Sequence, residues 1–126
     1  MGKLLITVLS DDPGLHGDLG ENLPADMGRR PRMLRPCPDV VFVDVGPPAP
    51  ASLPSELRWA YPSAFVVLIA RDVDSQALEL GSELDADAFV RRDDELVDTA
   101  TALLALAAIA RHGTRVRRTW TSRRKG

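Results

Sequence analysis

The sequence predicts an α/β domain in which helices cover both faces of a parallel β-sheet. Three observations carry that prediction. Two apolar runs, residues 40–45 (VVFVDV) and 64–71 (AFVVLIAR), are nearly continuous in β-branched, aromatic and aliphatic residues. That is the composition of central parallel strands buried on both sides. Shorter strand-like runs lie at 3–10 and 86–92, and stretches with helical spacing separate the runs. Strands interleaved with helices in this way imply right-handed crossovers within one parallel sheet.

Each element has a local reason. The first strand covers 3–10. Pro13 suits the first position of a helix, where its missing N–H would be unbonded anyway. Leu15, Leu19 and Leu23 recur every fourth residue and give that helix one apolar face. Gly14, Gly17 and Gly20 weaken it by about 1 kcal/mol each relative to Ala, and Pro24 ends it. The segment 25–38 is rich in Arg and Pro. Met33-Leu34-Arg35 reads as a short edge strand, with little room for a second helix before Asp39 starts the next strand. The loop Gly46-Pro47-Pro48-Ala49-Pro50 is stiff, and a short helix follows over 53–61. Trp59 and Tyr61 are expected to pack beside that helix, or to contact a partner where exposed. Asp74 is placed to cap a helix over 74–84, with Ala77, Leu78 and Leu80 facing inward. After the strand at 86–92, Asp93 or Asp94 caps the last helix, in which Leu96, Ala100, Leu103, Ala107 and Ala110 keep a helical period. There is no internal repeat.

With 126 residues, 44% of them apolar and 27% charged, the chain is expected to form one soluble domain. No apolar run approaches the roughly 18 residues of a membrane span. Met1-Gly2-Lys3 leads straight into a strand, so no secretory leader is expected. Ile6 stands where myristoylation prefers Ser or Thr. The lone Cys37, between two prolines, has no internal partner, and no Cys/His set has zinc spacing. A cytoplasmic location follows as the expectation. The net charge of −2 hides an asymmetry: residues 111–126 carry seven Arg or Lys and no acid, leaving nine basic and eighteen acidic groups in 1–110. The chain thus divides into a domain over 1–112 and a basic tail or linker over 113–126. Such tails touch nucleic acid or acidic surfaces, or act as solvated linkers. Trp120 is the tail's only aromatic and no recognition motif is present, which favours the linker.

Chemistry gathers around Asp44. It closes a buried strand, and ligands of open α/β sheets bind at the carboxyl ends of strands. Asp11-Asp12 closes the first strand, so two strand ends present carboxylates that suit a divalent cation. The alternative is that Asp44 caps a helix or starts a turn. No Ser/His/Asp or Cys/His pair sits at strand ends, so a hydrolase is not expected.

Asp11-Asp12-Pro13, the PDVVFVDV strand, Pro48 four residues after Asp44, and Ala86-Asp87-Ala88-Phe89-Val90 occur in an order that resembles a known family. Over residues 3–112 the chain is similar to the receiver domain of bacterial two-component response regulators, the CheY-like family. The resemblance implies a flavodoxin-like, three-layer αβα fold with a doubly wound five-stranded parallel sheet. The second helix is expected to be shortened or missing, because Asp12 and Asp44 are only 32 positions apart, closer than the family's usual spacing. The resemblance implies signalling, not enzymatic turnover. A histidine kinase or small phosphodonor would pass a phosphoryl group to Asp44, with Mg²⁺ held by Asp11, Asp12, Asp44 and the backbone carbonyl of Gly46. Phe89 matches the family's switch aromatic.

The departures from the family are equally specific. Ile69 or Ala70 stands where receivers place a hydroxyl residue. Arg91 or Arg92 stands in place of the phosphate-contacting lysine, with Arg92 the candidate replacement. The planar guanidinium differs from a compact ammonium. These arginines read alternatively as a solvated pair beside Asp93 and Asp94. With Pro13 as anchor, Ser10 falls on the first acidic position and Asp11 on the second. Without the hydroxyl, a phosphoryl group has less differential contact with an active state, so coupling should be weak. Two functions stay open. One is a phosphorylated receiver signalling through the family's fourth helix, fifth strand and fifth helix (here 74–84, 86–92 and 93–112). The other is an atypical pseudo-receiver, a dimerisation or protein-interaction module independent of phosphate. Expected partners are a second copy through those two helices, and a downstream output domain or DNA through the tail. A cobalamin site around His16 fits poorly, since the spacing of His16 from the acids is wrong. A flavin phosphate would meet acid at Ser10-Asp11-Asp12.

Overall fold

The computed structural model describes residues 4–23, 25–44, 51–72 and 74–112. The elements run β1 (Ile6–Leu9), α1 (Pro13–Gly20), β2 (Ala25–Gly28), β3 (Val40–Asp44), α2 (Leu53–Ala60), β4 (Phe65–Ala70), α3 (Ser75–Leu84), β5 (Ala88–Arg91) and α4 (Leu96–His112). All five strands are parallel, in the order β2-β1-β3-β4-β5. The chain therefore winds outward from β1 in both directions, as the sequence predicts.

Successive side chains of a strand point to opposite faces, and this alternation builds two cores. Ile6, Val8, Val40, Phe42, Val67, Ile69 and Val90 pack with Leu15 and Leu19 of α1 and with Leu96, Ala100 and Ala107 of α4. Leu9, Val41, Val43, Val66 and Leu68 pack on the other face with Leu53 and Leu57 of α2 and Leu84 of α3. Phe42, Val40, Val41 and Val67 are fully buried, which explains the unbroken apolar composition of the central strands.

α3 is capped where expected, and α1 is capped by Asp12. The carboxylate of Asp12 accepts from Gly14 N at 2.8 Å, with Pro13 in the first helical position. That of Asp74 accepts from Ala77 N at 2.9 Å. Asp93 accepts from Glu95 N at 2.9 Å just before α4. Within α3, Ala77, Gly81 and Leu84 face the sheet, whereas Leu78 is exposed. Gly81 is required by a close approach: a Cβ there would lie 2.2 Å from Phe89 Cζ.

The edge strand departs from expectation. It is Ala25–Gly28, and Met33-Leu34-Arg35 forms no strand. ADMG has low strand propensity. The open edge of β1 supplies the hydrogen bonds, and Ala25 and Met27 turn onto the first core. No helix occupies 29–39. Leu34 packs in the second core from this irregular segment, and Arg32 N donates to the hydroxyl of the buried Tyr61 at 3.0 Å. That segment covers part of the face where the missing helix would lie. Trp59 is 68% exposed. Among the described residues no helix is long and apolar enough to cross a membrane.

Candidate functional site

The carboxyl ends of β1, β3 and β5 converge through register. Leu9 pairs with Val43, Asp44 with Ile69, and Ala70 with Arg91. Ser10, Asp44 and Arg92 each follow, by two positions, a residue that points into the α1/α4 core: Val8, Phe42 and Val90. Alternation therefore carries all three toward the same side, where Asp12 opens α1.

There they form one connected chain. Ser10 is almost wholly buried, and its Oγ donates to Asp44 Oδ2 at 2.6 Å. The same Oγ accepts from Asp12 N at 3.0 Å. Arg92 pairs through Nη2 with Asp12 Oδ2 and through Nη1, at 3.7 Å, with Asp44 Oδ2. Its backbone N–H donates to Ala70 O at 2.8 Å, extending the ladder past β5 and fixing where the side chain starts. The Asp44 side chain is 16% exposed and that of Arg92 24%. They face a cleft lined also by Asp12, Ile69, Asp72 and Asp74.

Charge in this chain is balanced locally. The Arg92 guanidinium, with help from the Gly14 N–H, holds the Asp12 carboxyl below the usual aspartate range. The hydrogen bond to Asp12 in turn pushes the Arg92 pKa up, and the charge of Asp44 adds to this. Arg92 is a permanent cation here.

Asp11 also lines this cleft but shares none of these bonds. Its side chain is 88% exposed and lies 3.9 Å from Arg29 Nε. Gly46 lies outside the described residues. Ile69, the register partner of Asp44, is buried in the α1/α4 core, and the half-exposed Ala70 follows it. Phe89 is half-buried against Gly81 of α3. Arg91 is exposed, while Arg92 turns into the pocket. Asp44 caps neither neighbouring helix: α1 starts from Asp12 and α2 from Ser52. His16 lies within α1, half-buried. Cys37 is exposed.

Ser10, which links Asp44 to Asp12 N, is a member of this chain beyond the expected acids and arginine. A small hydroxyl directly after a buried strand was the available signal. Among the described residues the donor set does not suit a divalent cation. Both Asp12 oxygens already accept hydrogen bonds, the Asp11 side chain is largely exposed beside Arg29, and no group of three acidic, His or Cys side chains among the described residues converges as a metal site.

No protein-family model matches the sequence, and no curated protein matches it significantly. Solved structures do. A CheY-like protein (tadZ) from Pseudomonas aeruginosa PAO1 is 18% identical with a TM-score of 0.62, over 83% of this chain and 99% of that one. Response regulator RPA3017 in red light signalling of R. palustris is 15% identical, TM-score 0.58, over 85% and 93%. The Mn²⁺-bound form of response regulator Rcp1 is 14% identical, TM-score 0.54, over 86% and 92%. At these identities the likeness is one of architecture: the chain has the CheY-like receiver fold.

Proposed function

We propose that the chain is a receiver-type signalling domain, without catalytic turnover, that works by protein contact and not by a phosphoryl group on Asp44. The observation that carries this reading is Arg92, seated between Asp12 and Asp44. In a phosphate-dependent receiver the added group creates the differential contacts that shift the equilibrium. Here a permanent cation already bridges the acids, and Ile69, without a hydroxyl, stands beside Asp44.

The contact surface is α4. No charged residue occurs between Asp98 and Arg111, and Ala102, Ala105, Leu106 and Ile109 are exposed. A helical stretch apolar on all sides, as 102–110 is, belongs in an interior, and a second copy of the chain supplies one. Sedimentation velocity tests this. Leu106→Glu with Ile109→Glu should raise the dimer dissociation constant by about tenfold or more. Asp44→Asn and acetyl phosphate should change nothing.

A second reading has its own support. Asp44 faces the cleft, and among the described residues its Oδ1 accepts no hydrogen bond. In this reading that oxygen takes a phosphoryl group from a histidine kinase or small donor. A phosphorylated intact mass, lost in Asp44→Asn and accompanied by a shift in association, would establish this reading over the first.

A further inference from the structure

We infer that Arg92 is the pocket's own cation: its guanidinium takes the place that a divalent metal would fill between Asp12 and Asp44, and keeps such ions out. This deepens the reading above and rests on it, since a domain that signals without phosphate has no need of a metal to bring phosphate in.

The geometry supports the assignment from each carboxylate in turn. Asp12 Oδ1 is held by Gly14 N at 2.8 Å and its Oδ2 by Arg92. Asp44 Oδ2 accepts from Ser10 at 2.6 Å and lies 3.7 Å from Arg92 Nη1. Of the four carboxylate oxygens of Asp12 and Asp44, Oδ1 of Asp44 alone accepts no hydrogen bond from the described residues, whereas a hard cation needs several oxygen ligands. Ser10 supplies a neutral hydroxyl already bonded on both sides. The guanidinium suits the position because its planar fork offers separate nitrogens to the two acids. It is also tethered, so it occupies the pocket with no loss of translational freedom, unlike an ion recruited from solution. Two strand ends and the start of α1 are thereby joined by side chains alone.

Mn²⁺ titration of the full chain, read by calorimetry and by paramagnetic broadening, tests the assignment. Wild type should show no Asp44-dependent binding at about 1 mM Mn²⁺, where weak oxygen-ligand sites fill. Arg92→Gln removes a unit charge a few ångströms from the ion's position, so affinity should rise by about tenfold or more. Arg92→Gln combined with Asp44→Asn should abolish that gain. Arg92→Lys, whose single ammonium cannot offer the same fork, should give a smaller gain and serves if Arg92→Gln does not fold. Wild-type binding at 1 mM that disappears in Asp44→Asn overturns the assignment, as does the absence of any gain in a folded Arg92 variant. Either result leaves association through α4 untouched, and failure of that association leaves the Mn²⁺ result standing.

Discussion

Both ends of the sheet carry aspartates, and the two sets are used differently. At the amino ends, Asp39 and Asp87 clamp backbone. Asp39 Oδ2 accepts from Leu5 N at 2.8 Å while its own N–H donates to Leu5 O at 2.7 Å. Asp87 repeats this on Val66, at 2.9 and 2.7 Å. At the carboxyl ends, Asp44 bonds to the Ser10 side chain, and Asp12 divides its two oxygens between Gly14 N and the Arg92 side chain. A carboxylate fixed to backbone is committed by the fold itself. One fixed to side chains is released when a single χ angle rotates. The first arrangement stabilises the sheet, and the second can respond.

Substitutions at the two ends should therefore separate stability from response. Asp87→Ala leaves the part-buried Val66 N–H without its partner and should cost about 1–3 kcal/mol in urea unfolding. Asp39→Ala acts on a more exposed bond and should cost about 1 kcal/mol. Neither should alter association through α4. Arg92→Gln should cost about 1 kcal/mol, because the half-open pair it breaks is partly solvated, and should alter ion binding. Asp44→Asn, which keeps an acceptor for Ser10, should stay within about 0.5 kcal/mol of wild type. If it cost as much as Asp87→Ala, the distinction between the ends would collapse.

Acid sharpens the same comparison. Asp12 titrates below its unfolded value because Arg92 and Gly14 N–H favour the carboxylate. Its stabilising contribution is thus fully present above the unfolded value of about 3.9 and is lost as pH falls through the lower folded value. The stability gap between wild type and Asp12→Asn, followed by urea unfolding from pH 7 to pH 3, should shrink over that acid window. A gap that widened on acidification would contradict the Arg92 pairing.

How far the sequence speaks differs from element to element. The central strands were legible because burial on both faces demands uninterrupted apolar residues, and VVFVD and FVVLIA supply them. Caps were legible too, since Asp74 and Asp93 act within three residues of themselves. The edge strand ADMG was not, because its hydrogen bonds come from β1 and owe little to its own propensity. Asp11 and Asp12 looked equivalent, yet the Asp11 side chain is largely exposed while Asp12 pairs with Arg92. Adjacent residues leaving a strand point to opposite sides, and chain order alone does not say which side is occupied.

The sequence by itself determined that strands and helices alternate, that β3 ends on a carboxylate, and that the middle of the last helix is rich in Ala and Leu. These are local properties of periodicity and composition. Only the tertiary structure decided that Ser10, Asp44 and Arg92 share one side of the sheet and that the arginine, 80 residues from Asp12, reaches it. Strand order and register set that meeting, and both depend on how distant segments pair.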